Sequence, residues 1–316
     1  MPPQRPFLIR ATCILIFALT STAWAQDAPG TEVEIEIEPI KRVAMVGASA
    51  SAGFGIIVMK QSPIGRLPGS WTLANTLRTS SQNSIVMIDL GSSMFFLSPQ
   101  ETGERLFERA VKVEPDLVVA IDFLFWYCYG NRGVDGTRKR TLEERMRMLD
   151  VGLAVLDTYD GPIIVGNIPD MSGAIGRMLS RAQVPRPDAL AALNARIQAW
   201  VEERPRARLF PLAEIIDNLG KGEPFAIGEH HWDRQMLAQV LQRDQLHPTI
   251  DGQIALVQVL AEIIAQDEEL SSRMPALESD HETLKARIQK KPTNPKTPDA
   301  QGESSETEAK PSSKAA

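Results

Sequence analysis

The chain has 316 residues, with 34 Lys and Arg against 40 Asp and Glu, a formal net charge of −6 at pH 7 and two cysteines. A net acidic chain argues against a nucleic-acid binder, which presents a basic face. The length suffices for one domain of ordinary size with a well-buried interior.

Arg5 and Arg10 precede an apolar run, "ATCILIFALTSTAWA", that ends in Ala23-Trp24-Ala25. The A-x-A ending predicts a secretory signal peptide over residues 1–25. The run falls short of the roughly 20 apolar residues that a membrane span needs. Export to the periplasm or the extracellular space is therefore expected, with no membrane span after cleavage. Cleavage removes Cys13 and leaves Cys128 alone, so no disulfide closes within one mature chain and stability rests on the core.

Residues 26–40 read as a leader. After them, strand-like and helix-like segments alternate. "RVAMVG" is a short apolar run ending in Gly47, and "SWTLANTLRTS" has helical spacing. "SIVMIDLG" is a second apolar run, ending in Gly91. "ETGERLFERAVKVEP" sets Leu106, Phe107, Ala110 and Val111 on one helical face. "DLVVAIDFLF" is a third run. "TLEERMRMLDVGLAVLDTY" opens with Thr141 three residues before Glu144, a capping-box spacing. "GPIIVGN" is a fourth run, and "RPDALAALNARIQAWVEERP" is a helix bounded by Pro187 and Pro205. "ARLFPLAEII" holds the fifth strand, and "DGQIALVQVLAEIIAQ" is an apolar closing helix.

Fully apolar strands between amphipathic helices predict a parallel sheet covered on both faces. The expected architecture is a three-layer α/β/α sandwich with about five strands, a usual sheet size. The domain is expected over residues 41–268. Residues 269–316 are expected to hold a surface helix and then a tail rich in Pro, Ser, Glu and Lys. That tail lacks the apolar residues to offset ordering entropy. Ligands of such sheets sit beyond the carboxyl ends of the strands, where Gly47, Gly91, the segment after Phe123, and Asn167 all fall.

Two short stretches at those ends carry chemistry. "GASASAGFG" lacks the Lys of a phosphate loop and does not fit G-x-G-x-x-G. It is either a plain tight turn or a strand end that presents Ser49 two residues past the sheet, with small neighbours and free backbone N–H groups nearby. In "RDQLHPTIDGQ", Asp244 precedes His247 by three residues. That spacing lets the carboxylate hold the imidazole Nδ1–H, leaving Nε2 free to take a proton from a serine.

Together, Gly47-Ala48-Ser49-Ala50-Ser51-Ala52-Gly53 and Asp244-Gln245-Leu246-His247-Pro248 resemble the first (G-D-S-L-S-x-G) and last (D-x-x-H-P) blocks of the SGNH, or GDSL-type, hydrolases. The resemblance spans roughly residues 42–265. It implies a flavodoxin-like fold, Ser49 as nucleophile, His247 as general base and Asp244 as its orienting partner. It also implies an oxyanion hole formed by the Ser49 and Gly91 N–H groups. It further implies an acyl-enzyme route needing no cofactor or metal, on a small ester, a lipid or an acylated sugar. Two departures stand out. Ala48 replaces the family's Asp, and the third block, G-x-N-D, is missing where Phe123-Leu124-Phe125-Trp126 stands. Asn131 and Asn167 are the side chains available to replace its Asn. The missing block motivates an alternative: a catalytically weak or inactive member of the fold that binds a glycan or a protein partner in the cell envelope.

The run Phe123, Phe125, Trp126, Tyr127 and Tyr129 either walls an apolar or sugar-binding cleft or belongs to the core. "GEHHWD" holds metal-capable types, but adjacent histidines point apart, so it reads as a rim loop and no metal is expected. His281 reads as a plain surface residue.

Overall fold

The computed structural model describes residues 38–289 except 63–64, 132, 134–135 and 137–140. The expected signal peptide, residues 26–37 of the leader and the tail beyond 289 lie outside the described residues.

Five apolar segments form one parallel sheet: β1 (Arg42–Gly47), β2 (Val86–Gly91), β3 (Leu117–Ala120), β4 (Ile163–Gly166) and β5 (Ala207–Phe210). Their spatial order is β2-β1-β3-β4-β5, the flavodoxin-like order of doubly wound sheets. The helices are α1 (Leu73–Ser80), α2 (Pro99–Lys112), α3 (Phe125–Tyr129), α4 (Leu142–Leu156), α5 (Pro187–Glu202), α6 (Leu212–Lys221), α7 (Arg234–Val240), α8 (Ile250–Gln266), α9 (Glu268–Arg273) and α10 (His281–Gln289).

Successive strand residues point to opposite faces, and both faces are apolar. Ala44 and Val46 join Phe107, Leu149 and Ile197 of α2, α4 and α5 in one core. Val43 and Met45 join Leu77 of α1 and Val257 and Leu260 of α8 in the other. The sandwich expected from the sequence is thus observed. Among the described residues no helix is long and apolar enough to cross a membrane. The capping box of α4 is formed, with Thr141 accepting from the Glu144 N–H and the Glu144 carboxylate accepting from the Thr141 N–H.

Several elements differ from expectation. The third strand stops at Ala120, and the aromatic run after it turns into α3. The segment after Pro211, which the sequence reading did not separate from the fifth strand, is α6. Two antiparallel hairpins decorate the sheet, Ile57–Ser62 with Gly65–Ser70 and Phe225–Ile227 with His230–Trp232. Packing also continues to both sides of the expected domain. Ile40 is buried, and α10 buries Leu284 and Ile288 against Ile254 of α8. His281 is not a plain surface residue. Its Nε2 lies 2.9 Å from Asp251 Oδ1, which also takes Lys285 Nζ at 2.8 Å.

Candidate active site

In this strand order β1 lies between β2 and β3, and the crevice of a doubly wound sheet opens at that switch point. Ser49 follows β1 there, and Asp122 follows β3. Asp122 is 6% exposed. Its Oδ1 accepts from the Ala48 N–H at 2.9 Å and from the Ser51 hydroxyl at 2.6 Å. Its Oδ2 accepts from the N–H groups of Ala50 at 2.9 Å and Ser51 at 3.2 Å. One buried carboxylate therefore gathers four donors and folds the turn around Ser49.

The approach needs glycine at the end of β1. A Cβ on Gly47 would lie 2.1 Å from Asp122 Oδ1. The Ala52 N–H closes back on the Ala48 carbonyl at 2.9 Å. Within this run the Ser49 N–H has no acceptor among the described residues.

His247 comes from 198 residues away and meets this turn. Its loop is clamped at both ends: the Gln242 N–H donates to the His247 carbonyl at 2.8 Å, and the Thr249 N–H donates to the Val240 carbonyl at 2.9 Å. The Thr249 hydroxyl caps α8 by accepting from the Gly252 N–H. The Gln242 amide ties the two loops by donating to both the Phe54 and Pro248 carbonyls. Asp244 Oδ1 accepts from the N–H groups of Leu246 and His247, at 2.9 and 3.1 Å. Asp244 Oδ2 lies 2.7 Å from His247 Nδ1, and His247 Nε2 lies 2.9 Å from Ser49 Oγ. The Phe54 ring covers the imidazole at 4.3 Å between centroids. Ser49 is 9% exposed and His247 2%.

A carboxylate at Nδ1 fixes the imidazole so that Nε2 can accept a hydroxyl proton, and it stabilises the imidazolium that results. The arrangement is thus able to generate a serine alkoxide equivalent beside an uncommitted backbone N–H, the requirement for attack on a carbonyl.

Burial works to raise the Asp244 pKa. The bonds from the His247 ring and from the N–H groups of His247 and Leu246 outweigh it and hold the carboxyl below its usual range. Asp251 is treated alike: burial acts upward, and the bonds from Lys285 and His281 win. A carboxyl with a depressed folded pKa adds stability above its unfolded value, near 4, and that stability disappears as pH falls through the folded value. Melting temperature should therefore fall as pH drops from about 5 to 2. The fall should be smaller in Asp251→Asn, which has no such group to protonate, and thermal melts across that range check it.

Of the other expected site residues, Gly91 has a packing role. A Cβ there would meet Ala52 N at 2.7 Å and Ala52 Cα at 2.8 Å, so β2 can lie against the Ser49 turn only with glycine at this position. The Gly91 N–H is directed to Asp89 Oδ1 at 3.3 Å. Asn167 is no substitute for the missing third-block Asn. Its Nδ2 donates to Glu214 Oε2 at 2.8 Å and its Oδ1 accepts from the Ala213 N–H at 2.6 Å, so both ends serve the start of α6. Asn131 is exposed in the segment after α3.

The aromatic run is mostly core, and Phe125 alone of it also lines a cavity beside Ser49. Phe123, Phe125, Trp126, Tyr127 and Tyr129 are all buried, and the Tyr129 hydroxyl donates to the Pro169 carbonyl and accepts from the Met171 N–H. Glu229, His230, His231 and Asp233 lie on or beside the second hairpin. His230 Nε2 is 3.6 Å from Glu262, His231 is exposed, and Asp233 caps α7. Among the described residues no three metal-capable side chains cluster.

The residue that sequence reasoning missed is Asp122. The available signal was an acidic residue directly after an apolar strand, next to the strand that carries the serine. Beside Ser49 the structure also holds a narrow apolar cavity of about 80 Å3, running between the β1 turn, α6, the second hairpin and α8.

No family model and no curated protein matches the chain. Among solved structures it is similar to the psychrotrophic esterase EstA from Pseudoalteromonas sp., at 15% identity and a TM-score of 0.41, over 72% of this chain and 97% of that one. It is similar to Axe2, an acetylxylan esterase from Geobacillus stearothermophilus, at 12% identity and a TM-score of 0.46, over 74% and 98%. It is also similar to a G-D-S-L family protein from Desulfitobacterium hafniense DCB-2, at 12% identity and a TM-score of 0.43, over 71% and 99%.

Proposed function

We propose that this chain is an exported serine esterase, a divergent member of the SGNH hydrolases. The observation that carries the reading is the continuous contact Asp244–His247–Ser49, at 2.7 and 2.9 Å, beside an unclaimed Ser49 N–H. Export rests on the apolar leader that ends in Ala23-Trp24-Ala25.

In this reading His247 Nε2 takes the Ser49 proton as Oγ bonds to the ester carbonyl carbon. The carbonyl π pair moves onto oxygen, and the oxyanion is held by the Ser49 N–H. The family resemblance assigns the second donor to the Gly91 N–H, which would have to give up its 3.3 Å contact with Asp89 Oδ1. The C–O bond to the alcohol then breaks, and His247 returns the proton to the departing oxygen. Water, deprotonated by His247, attacks the acyl-enzyme, and collapse frees the acid and restores the Ser49 hydroxyl. Losing one oxyanion donor typically lowers kcat by about 10²–10³, so the missing third-block Asn fits a slow enzyme. Small esters, lipids and acylated sugars are the substrate classes this chemistry admits.

A fluorophosphonate probe tests the reading. The folded wild type should be labelled, and Ser49→Ala, with an unchanged melting temperature, should not be. A folded wild type that resists labelling would overturn the hydrolase reading in favour of the envelope-binding alternative that the missing Asn motivates.

A further inference from the structure

Taking the serine esterase as given, we propose that its site selects esters with an unbranched aliphatic acyl chain of about four to eight carbons. The chain would thread into the cavity beside Ser49, and neither an acetyl group nor a sugar would fill it.

The cavity wall comes from elements that the sheet alone would not supply. Ile215 of α6, Phe225 and Trp232 of the second hairpin, and Ala255, Leu256 and Val259 of α8 converge on it. Phe225 and Trp232 stack at 5.5 Å between ring centroids and make one side rigid. The hydroxyl and carboxyl side chains on the lining are Ser49, Ser51 and Asp122, neighbours on the serine turn, and Trp232 adds an indole N–H. Two of these are already committed, since the Ser51 hydroxyl and N–H both donate to Asp122.

Along the remaining wall the Trp232 indole N–H is the one side-chain donor, too few for the several hydroxyls of a sugar. Burying such a hydroxyl unpaired is unfavourable, whereas a methylene loses nothing there. An apolar cavity of this kind stays dry and takes apolar guests. Its volume of about 80 Å3 takes roughly three groups at a water's ~30 Å3 share of liquid volume and at most five to eight at the ~10–15 Å3 minimum for one. A methylene is of similar size, which bounds the chain length. The position of the polar end puts the ester carbonyl at Ser49 and the chain inward. Apolar burial favours each added methylene by about fourfold, the equivalent of ~0.8 kcal/mol.

Two measurements test this. In the first, kcat/KM is compared across p-nitrophenyl acetate, butyrate, hexanoate, octanoate and laurate. It should rise about fourfold per methylene to a maximum between four and eight carbons and then fall. Ala255→Phe, which narrows the slot from the α8 side, should lower the hexanoate-to-acetate ratio by tenfold or more. A wild-type profile flat or falling from acetate onward would overturn the proposal while leaving the esterase reading intact.

The second measurement is independent of catalysis. Calorimetric titration of Ser49→Ala protein with 2-octanone should show saturable binding that acetone does not. Folded protein that fails to bind 2-octanone would also overturn the proposal. Binding of 2-octanone by a protein that turns over no ester would keep the slot and reject the esterase.

Discussion

Replacing His247 with alanine is expected to lower kcat on a small acyl ester by about 10⁶-fold, the scale at which the members of such a triad fail as a unit. Ser49 is left with an ordinary hydroxyl, because within the described site Nε2 is the group at 2.9 Å positioned to take its proton. Residual turnover should persist at about 10³–10⁴ over water, since the backbone donors around Ser49 do not depend on the imidazole. Asp244→Asn should cost less, about 10⁴ in kcat. The asparagine oxygen can still accept from the N–H groups of Leu246 and His247, so the loop keeps its shape. What it loses is the acceptor for the ring Nδ1–H, and the imidazole is then free to carry its proton on the wrong nitrogen. Steady-state kinetics on both variants, with circular dichroism to show that each is folded, checks the pair. Near-normal turnover in either would remove that residue from the mechanism.

Asp122→Ala is expected to damage both stability and rate. Three N–H groups and a hydroxyl lose their acceptor at once. A hydrogen bond to a charged group contributes about 1.5–3 kcal/mol, and the four are not additive because the turn relaxes. Breaking a buried charged network costs about 3–5 kcal/mol. For a domain of this size 1 kcal/mol moves Tm by roughly 2–4 °C, so a drop on the order of 10 °C is expected. The turn that aims Ser49 loosens too, and a displacement near 1 Å is enough for about 10²-fold in rate. Asp122→Asn keeps the volume and one acceptor oxygen but turns an NH2 toward backbone donors. It should melt between wild type and Asp122→Ala while retaining a clear kcat defect with little change in KM. Wild-type Tm and kcat in Asp122→Ala would mean that the turn holds itself without the carboxylate.

Much of the architecture was legible in the residues, for reasons specific to each element. β1, β3 and β4 are apolar on both faces, so they read as uninterrupted runs, and β2, at the sheet edge, still reads as a strand although Asp89 interrupts it. α4 and α5 carry their own start signals in Thr141 and Pro187. Ser49 and His247 were legible because a side chain on a small-residue turn and an Asp three residues before a His leave a linear trace. Asp122 left only its place just past an apolar strand, because its partners are mainly backbone N–H groups, which every residue but proline possesses. α6 was hidden because a single proline, Pro211, separates it from β5 and the apolar spacing of strand and helix merges. The second hairpin escaped because its strands are three residues each, too short to show alternation. Its contribution to the cavity depends on where α6 and α8 place it.

The 2.1 Å clearance between a would-be Cβ at position 47 and the Asp122 carboxylate has an evolutionary corollary. The two positions constitute a lock and its key separated by more than seventy residues of sequence. The dependence runs one way: a larger residue at 47 ejects the acid and also strikes Ser51, whose Cβ would lie 2.9 Å away, so the glycine is held by more than the acid. Descendants of this chain that keep the acid should therefore keep the glycine, whereas loss of the acid alone would not free position 47.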